Sequence, residues 1–554
     1  MIQCSSSLTR AAAISLCSGI LLLPARASAD GKPVEWNARN AEHLVNRAGF
    51  GASTEEVARY VAMGQDAAIE SLFPDPSRIP QPDILGEAEL PGDLVDPAEM
   101  HATVEGRREG FVRLQANLIA ALNHFGDWWI ERMIASDDPL RDHMTIFWHG
   151  HFVSSVKEVG NSHAIIGQIR FLRENALGDF EVLARGMGRD GAMLRYLNND
   201  NNVKGHPNEN WARELMELFT LGDGNYTEND IKESARAFTG WSQERSRFLY
   251  RRLNHDFEQK TVLGVTGNFD GDHIVDIIFE QPACGRFIAG KLIAYFEGFP
   301  PAPERVEDYA AFLRSNDYHI GKLLRRLFHD PAFYRDEIVG NRVAGPIEYL
   351  VGASRRLGMH PPGQLVLAGG DLLGQRIFWP PSVKGWEGDM SWINTASIMH
   401  RSNVIGTMLG TVETAKLLSD PEAERTDPMA GDSMAKPASS PQTAPKKITA
   451  GTGIGLLNFI QESGWQPDLD LRKSLAPLGA KPSDSAIAGR MIENLLAAPA
   501  APGTLEEVVR FLGSEREALG IREGELLASA DARSEALLRR TAHLILSLPE
   551  AQLN

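Results

Sequence analysis

Helix signals recur along this chain with their ends marked, and that leaves little room for any other architecture. Ser53, followed three residues on by Glu56, has the form of a capping box ahead of Val57, Tyr60 and Val61. Thr227 with Asp230 repeats the device and opens a helix through Ile231, Ala235 and Phe238 that stops at Gly240. Pro346 stands where a first-turn proline belongs, ahead of Ile347, Leu350, Val351 and Leu357. Apolar residues also fall at helical spacing over 283–296 and 309–328, whereas alternating β-branched runs are few and short. The expected fold is mainly α, a large multi-helix single core with long loops such as the proline-rich stretch 75–99.

Two shifts in composition divide the chain. Arg10, the apolar run 11–23 and the small residues Ala27 and Ala29 give the first 29 residues the form of a secretory signal peptide, with the mature chain beginning at Asp30. The apolar run is too short to span a bilayer, and no later segment is long and apolar enough to do so. Residues 416–452, rich in Pro, Ser, Ala and Lys, cannot bury enough surface to offset the entropy of ordering and are expected to form a disordered linker. The domains expected are therefore the signal peptide 1–29, a main helical domain 30–415, the linker 416–452, and a C-terminal helical segment 453–554 docking on the main domain. That last segment carries helical spacing over 454–461, 485–496, 505–512 and 532–547.

Export fixes what the remaining chemistry can be. Loss of residues 1–29 removes two arginines and no acids, so the mature chain is more acidic than the formal charge of -17 and is repelled by nucleic acid. It also removes Cys4 and Cys17 and leaves Cys284 alone, which excludes an internal disulfide and a thiolate zinc cluster. A bacterial periplasm or exterior suits a large exported chain without disulfides.

The most site-like stretch is Gly205 to Trp241. Its helix gathers Glu209, Asn210, Arg213, Glu214 and Glu217 on one arc and Trp211, Leu215, Leu218 and Phe219 on the other. Glu209, Arg213 and Glu217 are spaced four apart and can form an ion-pair ladder, whereas Glu214 lies off it. Asn198, Asn199, Asp200, Asn201 and Asn202 just upstream are either a turn cluster or, with the carboxylates, oxygen ligands for a hard cation or a hydroxyl-rich substrate.

Other segments offer partners for such a site. His149 and His151 could chelate one metal ion if the backbone between them is extended, and diverge if it is helical. His255 could serve as an auxiliary base or sit in a surface turn beside Asp256. Trp386 belongs to a Pro/Gly-rich loop with Trp379 and Trp392, where a tryptophan can stack on a sugar ring or plug the core. Gly285 to Lys291 fits the spacing of a phosphate-binding loop, but Leu292 replaces its Ser/Thr and the run reads as a single helix.

Several blocks together resemble the bacterial exported family catalogued as domain of unknown function 1800. They are HLVNRAGFG (43–51), FWHGHF (147–152), AMLRYLNN (192–199), the 205–241 stretch, KTVLGVTGNFDG (260–271), GQRIFWPPSVKGWEGDMSWIN (374–394) and the C-terminal ALLRRTAHLILSLPEAQLN. The resemblance implies an exported, mostly helical protein without an established activity. Members are often encoded beside exported sulfatase-like proteins, which implies joint work on a polymer or surface component.

The expectation that follows is a metal-assisted hydrolase acting on a polysaccharide or envelope polymer, with a divalent metal ion as its cofactor. His149 and His151 are the expected ligands, Glu214, Glu217 and His255 the catalytic residues, and Asn198, Asp200, Asn210, Arg213 and Trp386 the binding residues. The alternative is a non-catalytic scaffold or glycan-binding partner of an exported sulfatase-like protein.

Overall fold

The computed structural model describes residues 34–75, 104–135, 138–244, 246–412, 460, 463–528 and 531–554, with side chains from Leu118 onward in the second of these. The expected signal peptide and linker, and most of the 75–99 and 454–461 stretches, lie outside the described residues. Among those described, 22 α-helices and two small two-stranded antiparallel sheets make the fold mainly α.

The caps work as the sequence requires. Ser53 accepts from the Glu56 N–H while the Glu56 carboxylate accepts from the Ser53 N–H at 2.9 Å, opening the helix Thr54–Met63. Thr227 and Asp230 open Glu228–Ala237 in the same way, and Pro346 starts Pro346–Leu357. The 283–296 spacing becomes the helix Pro282–Glu297. The 309–328 spacing is instead divided between Pro303–Arg314 and Ile320–His329. Asp317 and Tyr318 break it by adopting left-handed backbone, and the Tyr318 hydroxyl is held by the Phe279 carbonyl at 2.8 Å.

The centre of the molecule is the helix Pro139–His151, in which every residue except Gly150 is buried. The long helix Val104–Ala135 and Ser162–Glu174 pack on it, and Pro346–Leu357 and Gly363–Leu372 pack on the long helix. One continuous apolar cluster runs from Ala41 to Leu546, so the C-terminal helices share the core of the first four hundred residues. Asp484–Leu495, Thr504–Ala518 and Ala532–Leu546 pack on one another. They meet the rest through Pro346–Leu357 and Thr395–Met408.

Polar contacts fix that junction. The Tyr349 hydroxyl donates to the Leu546 carbonyl at 2.9 Å, and buried Arg401 joins the Ala344 carbonyl to the Gln552 side chain. Backbone pairing of Val343 with Leu553 closes the chain's last residues against this corner.

Because the core is shared, damage at its C-terminal edge should destabilise the whole. Leu538 is fully buried, and Leu538→Ala should cost about 2–5 kcal/mol. Calorimetry should show one transition moved to lower temperature; a second, separately melting transition would contradict a common core.

Candidate functional site

The polar stretch that begins at Asn210 is built from two kinds of helix. Asn210–Glu214 is α-helical, and Leu215–Thr220 is a π-helical segment. The Leu221 N–H reaches back five residues to the Met216 carbonyl at 2.9 Å. Such segments are rare and are frequently found at functional sites. Trp211, Leu215, Met216 and Phe219 anchor the inner face in the core. The outer face keeps Arg213, Glu214 and Glu217 half-buried.

The wider turn changes the charge pairing from that expected of a regular helix. Arg213 grips Glu228 with both guanidinium arms at 2.9 and 2.8 Å and holds Glu209 at 3.2 Å. Glu217 is not on this ladder: its carboxylate accepts the Tyr226 hydroxyl, and burial together with Glu217 pushes that phenol up to about 12.

Glu214 has neither a hydrogen bond nor an ion pair among the described residues. Desolvation and the neighbouring Glu217 hold its carboxyl above the usual range, against the weaker pull of Arg213 and Lys384. Tyr196 lies close enough to feel the Glu214 charge. Tyr196 and Lys384 carry no signal in the sequence because they come from other segments, and Tyr226, though within 205–241, lies beyond the helical arc of the glutamates.

The two histidines do not form a chelate. The helix runs through His151, so the rings diverge and serve different neighbours. His149 packs among Trp129, Phe378 and Trp386, and its Nε2 accepts the Phe378 N–H at 3.3 Å. His151 lies among Phe147, Phe152 and Phe219, and its Nε2–H donates to the Phe219 carbonyl at 3.0 Å. Its Nδ1 therefore accepts, from the Lys291 ammonium at 2.8 Å. His151 touches the π-helical segment, but through backbone rather than through Glu214 or Glu217. Among the described residues no group of three or more His, Cys, Asp or Glu side chains is placed to hold a metal ion. His149 and His151, expected as a pair of ligands, thus serve different neighbours in this structure.

The other expected residues divide in the same way. His255 is buried, its Nδ1–H bonded to the Thr239 carbonyl at 2.8 Å and its ring wedged between Tyr250 and Phe257. No hydrogen bond, ion pair or ring contact joins it to Glu214 or Glu217 among the described residues.

The asparagine run is a turn cluster. Buried Asn202 ties the Ala235 carbonyl at 2.8 Å to the Asn208 N–H at 2.9 Å. Asn198 adopts left-handed backbone and Asp200 sits in the short 3-10 turn that follows. Asn210 caps this turn's exit by donating its N–H to Asn208 at 3.0 Å. Trp386 is half-buried, edge-on to His149 at 5.4 Å. Its loop can approach so closely because Gly385 has a positive φ and a Cβ there would stand 2.3 Å from the Gly150 carbonyl.

A pocket of about 530 Å³ opens beside this face, with Glu217 and Leu218 on one wall and Phe287 and Lys291 on another. A second group of charges is enclosed instead. Glu348 accepts from Arg342 at 2.7 Å and from the Gly345 N–H at 2.8 Å, contacts His143, and lies 3.5 Å from the Tyr295 hydroxyl. Burial opposes its charge, but Arg342 and His143 outweigh burial and hold the carboxyl far below the usual range. These four side chains tie together Pro139–His151, Pro282–Glu297 and Pro346–Leu357 with the segment that carries Arg342.

Stability measurements separate the ladder from Glu214. A carboxyl whose folded pKa is raised loses stabilisation as pH rises from the ordinary carboxylate range through the raised value, so ionised Glu214 is unfavourable at neutral pH. At pH 7, Glu214→Gln should melt at or above the temperature of the native chain. Arg213→Ala, which strands Glu209 and Glu228, should cost about 1 kcal/mol.

The buried histidines set the acid limit. His43, His143, His149 and His151 are all pushed down by burial, His149 to about 4. The unfolded chain takes up those protons near the ordinary value of 6.5, so stability is complete above it and falls towards pH 4. His149 alone accounts for roughly 3 kcal/mol of this. Urea midpoints between pH 7 and 4 should show the fall, with a shallower slope in His149→Gln; equal slopes in the two proteins would contradict it.

The family described as "Protein of unknown function (DUF1800)" matches residues 43–553. No curated protein and no solved structure matches the chain.

Proposed function

The chain belongs to the DUF1800 family, and we propose that it is an exported bacterial hydrolase acting on a polysaccharide or envelope polymer through a pair of carboxyl groups. Glu214 is the proton donor and Glu217 the second carboxyl, the base that activates water. The observation that carries this reading is Glu214 itself: half-buried, without a hydrogen bond or ion pair among the described residues, and held above the usual carboxyl range beside a second glutamate. Two carboxyl groups in unequal surroundings divide acid and base roles between them. Here desolvation favours the protonated form of Glu214, while Glu217 accepts the Tyr226 hydroxyl.

The compartment belongs to the same proposal and rests on the composition of the first 29 residues. No helix among the described residues is long and apolar enough to cross a membrane. The site's acidic surround favours a neutral hydroxylated polymer over a polyanion. A role as the non-catalytic partner of an exported sulfatase-like protein makes a different demand on the same residues. It requires polymer binding without cleavage and without dependence on the Glu214 proton.

The experiment is release of reducing ends from neutral envelope polysaccharides by the purified chain. General acid catalysis predicts a loss of about 10²–10⁴-fold in Glu214→Gln with polymer binding retained. Because Glu214 must carry its proton, activity should fall as pH rises through its raised pKa. Cleavage unaffected in Glu214→Gln would remove the proposed acid; binding without cleavage by the native chain would establish the non-catalytic role.

A further inference from the structure

The pocket beside Glu217 contains a cation with no anion to match it. Lys291 projects from Pro282–Glu297, its stem exposed along the pocket and its ammonium turned inward to His151 at 2.8 Å. The bond is one-sided in charge. His151 must keep its Nε2–H for the Phe219 carbonyl, so it offers Lys291 only a neutral lone pair. No carboxylate forms an ion pair with Lys291 among the described residues. Arg286, the other cation at the pocket, is engaged by Glu307 at 3.6 Å. Glu217 lines the same pocket but is held by Tyr226.

The walls are of the opposite character. Leu218, Phe287, Ala294, Pro300 and Val306 surround the lysine with apolar surface. A pocket of about 530 Å³ is the size that small organic ligands occupy. An ammonium in such surroundings is best satisfied by an anion that brings its own apolar body. One ammonium, with one N–H already given to His151, matches a single negative charge; a dianion would face Glu217 across the pocket without a second free cation.

We propose that this pocket binds a small organic carboxylate with an apolar body, the carboxylate meeting the Lys291 ammonium and the body lying against Phe287 and Leu218. The site borders the proposed carboxyl pair at Glu217 but does not depend on Glu214 being an acid. His151 acts as a positioning residue, because its fixed tautomer aims one lysine N–H inward and leaves the other two to the pocket.

The same geometry sets a pH limit. Burial lowers Lys291 to about 8, so the amine is charged at neutral pH and loses its charge just above it. Around it, His151 is held neutral by burial and Tyr226 is pushed up to about 12, so neither changes charge over the same range. The remaining charged groups lining the pocket are Glu217 and Arg286, the latter paired with Glu307.

Octanoate, 1-octanol and octylammonium share a body and differ only in their heads. Titrated into the full chain by calorimetry at pH 7, octanoate should bind at least about tenfold more tightly than octanol, and octylammonium more weakly than either. Lys291→Met keeps the length of the stem and should abolish the preference for octanoate over octanol, while Lys291→Arg should retain it. In the native chain the preference should decline as pH rises from 8 to 10. Equal affinity for octanoate and octanol, or a preference that survives Lys291→Met, would overturn the proposal. If Lys291→Met does not fold, the pH series on the native chain decides, and a preference unchanged from pH 7 to 10 would overturn it as well.

Discussion

Burying the Pro139–His151 helix on nearly every side requires that its polar side chains find partners in the surrounding elements, and much of the architecture follows from how they do. Arg141 bonds Asp138 at 2.6 Å and the Arg173 carbonyl at 3.2 Å, while Asp142 receives Arg173 at 2.7 Å. His143 meets Glu348, His149 receives the Phe378 N–H, and His151 spans Phe219 and Lys291. A buried ion or amide left without such a partner costs several kcal/mol, so these contacts fix the neighbours as firmly as apolar packing does. One helix thereby sets the positions of the Ser162–Glu174 helix, Pro282–Glu297, Pro346–Leu357, the aromatic loop and the π-helical segment.

That commitment has a chemical consequence. A histidine enclosed among aromatic rings and bonded to a backbone carbonyl or amide is held neutral by burial. The two histidines that look most metal-like in sequence each hold a neighbouring backbone group in the core. Reactive groups are left at the edge of this buried hub, where the Asn210–Thr220 stretch, the loop carrying Lys384 and the Pro282–Glu297 helix come to the surface. The π-helical turn matters here because it takes Glu217 out of reach of Arg213 and delivers it to Tyr226 and the pocket.

Much of the fold was legible in the sequence because its signals are local. The capping boxes at Ser53 and Thr227, the first-turn proline at Pro346 and the apolar spacing over 283–296 each depend on residues within a turn or two of one another. The break at Asp317–Tyr318 was not legible, since a periodic apolar pattern continues across it and the deciding contact is made with Phe279. The candidate site was legible only in part, for the same reason. Glu214 and Glu217 stand out on a helical arc, but the π-helical register depends on packing against the core. Tyr196, Lys384 and Lys291 arrive from other segments, and Tyr226, though within 205–241, lies beyond the helical arc that marks the two glutamates. The pair at 149 and 151 misled because a two-residue spacing has opposite meanings in strand and helix.

The pairing of charges elsewhere gives the unpaired Glu214 its weight. Arg185 holds Glu181, Asp272 and Asp276; Arg236 holds Glu233 and Asp256, with Glu258 at 3.7 Å; Arg305 joins Glu297 and Asp330. Even on its own helix, Arg213 is turned to Glu209 and Glu228. Beside these pairs the chain leaves Glu214, a half-buried carboxyl, next to another carboxyl. Desolvation and like charge both act against it, and a glutamine of the same shape would relieve both. Local departures of this kind, which lower stability without a compensating contact, are physically intelligible where the group has work to do outside the fold. Lys291 is the same departure with the opposite sign, a cation set against a neutral histidine and an apolar wall.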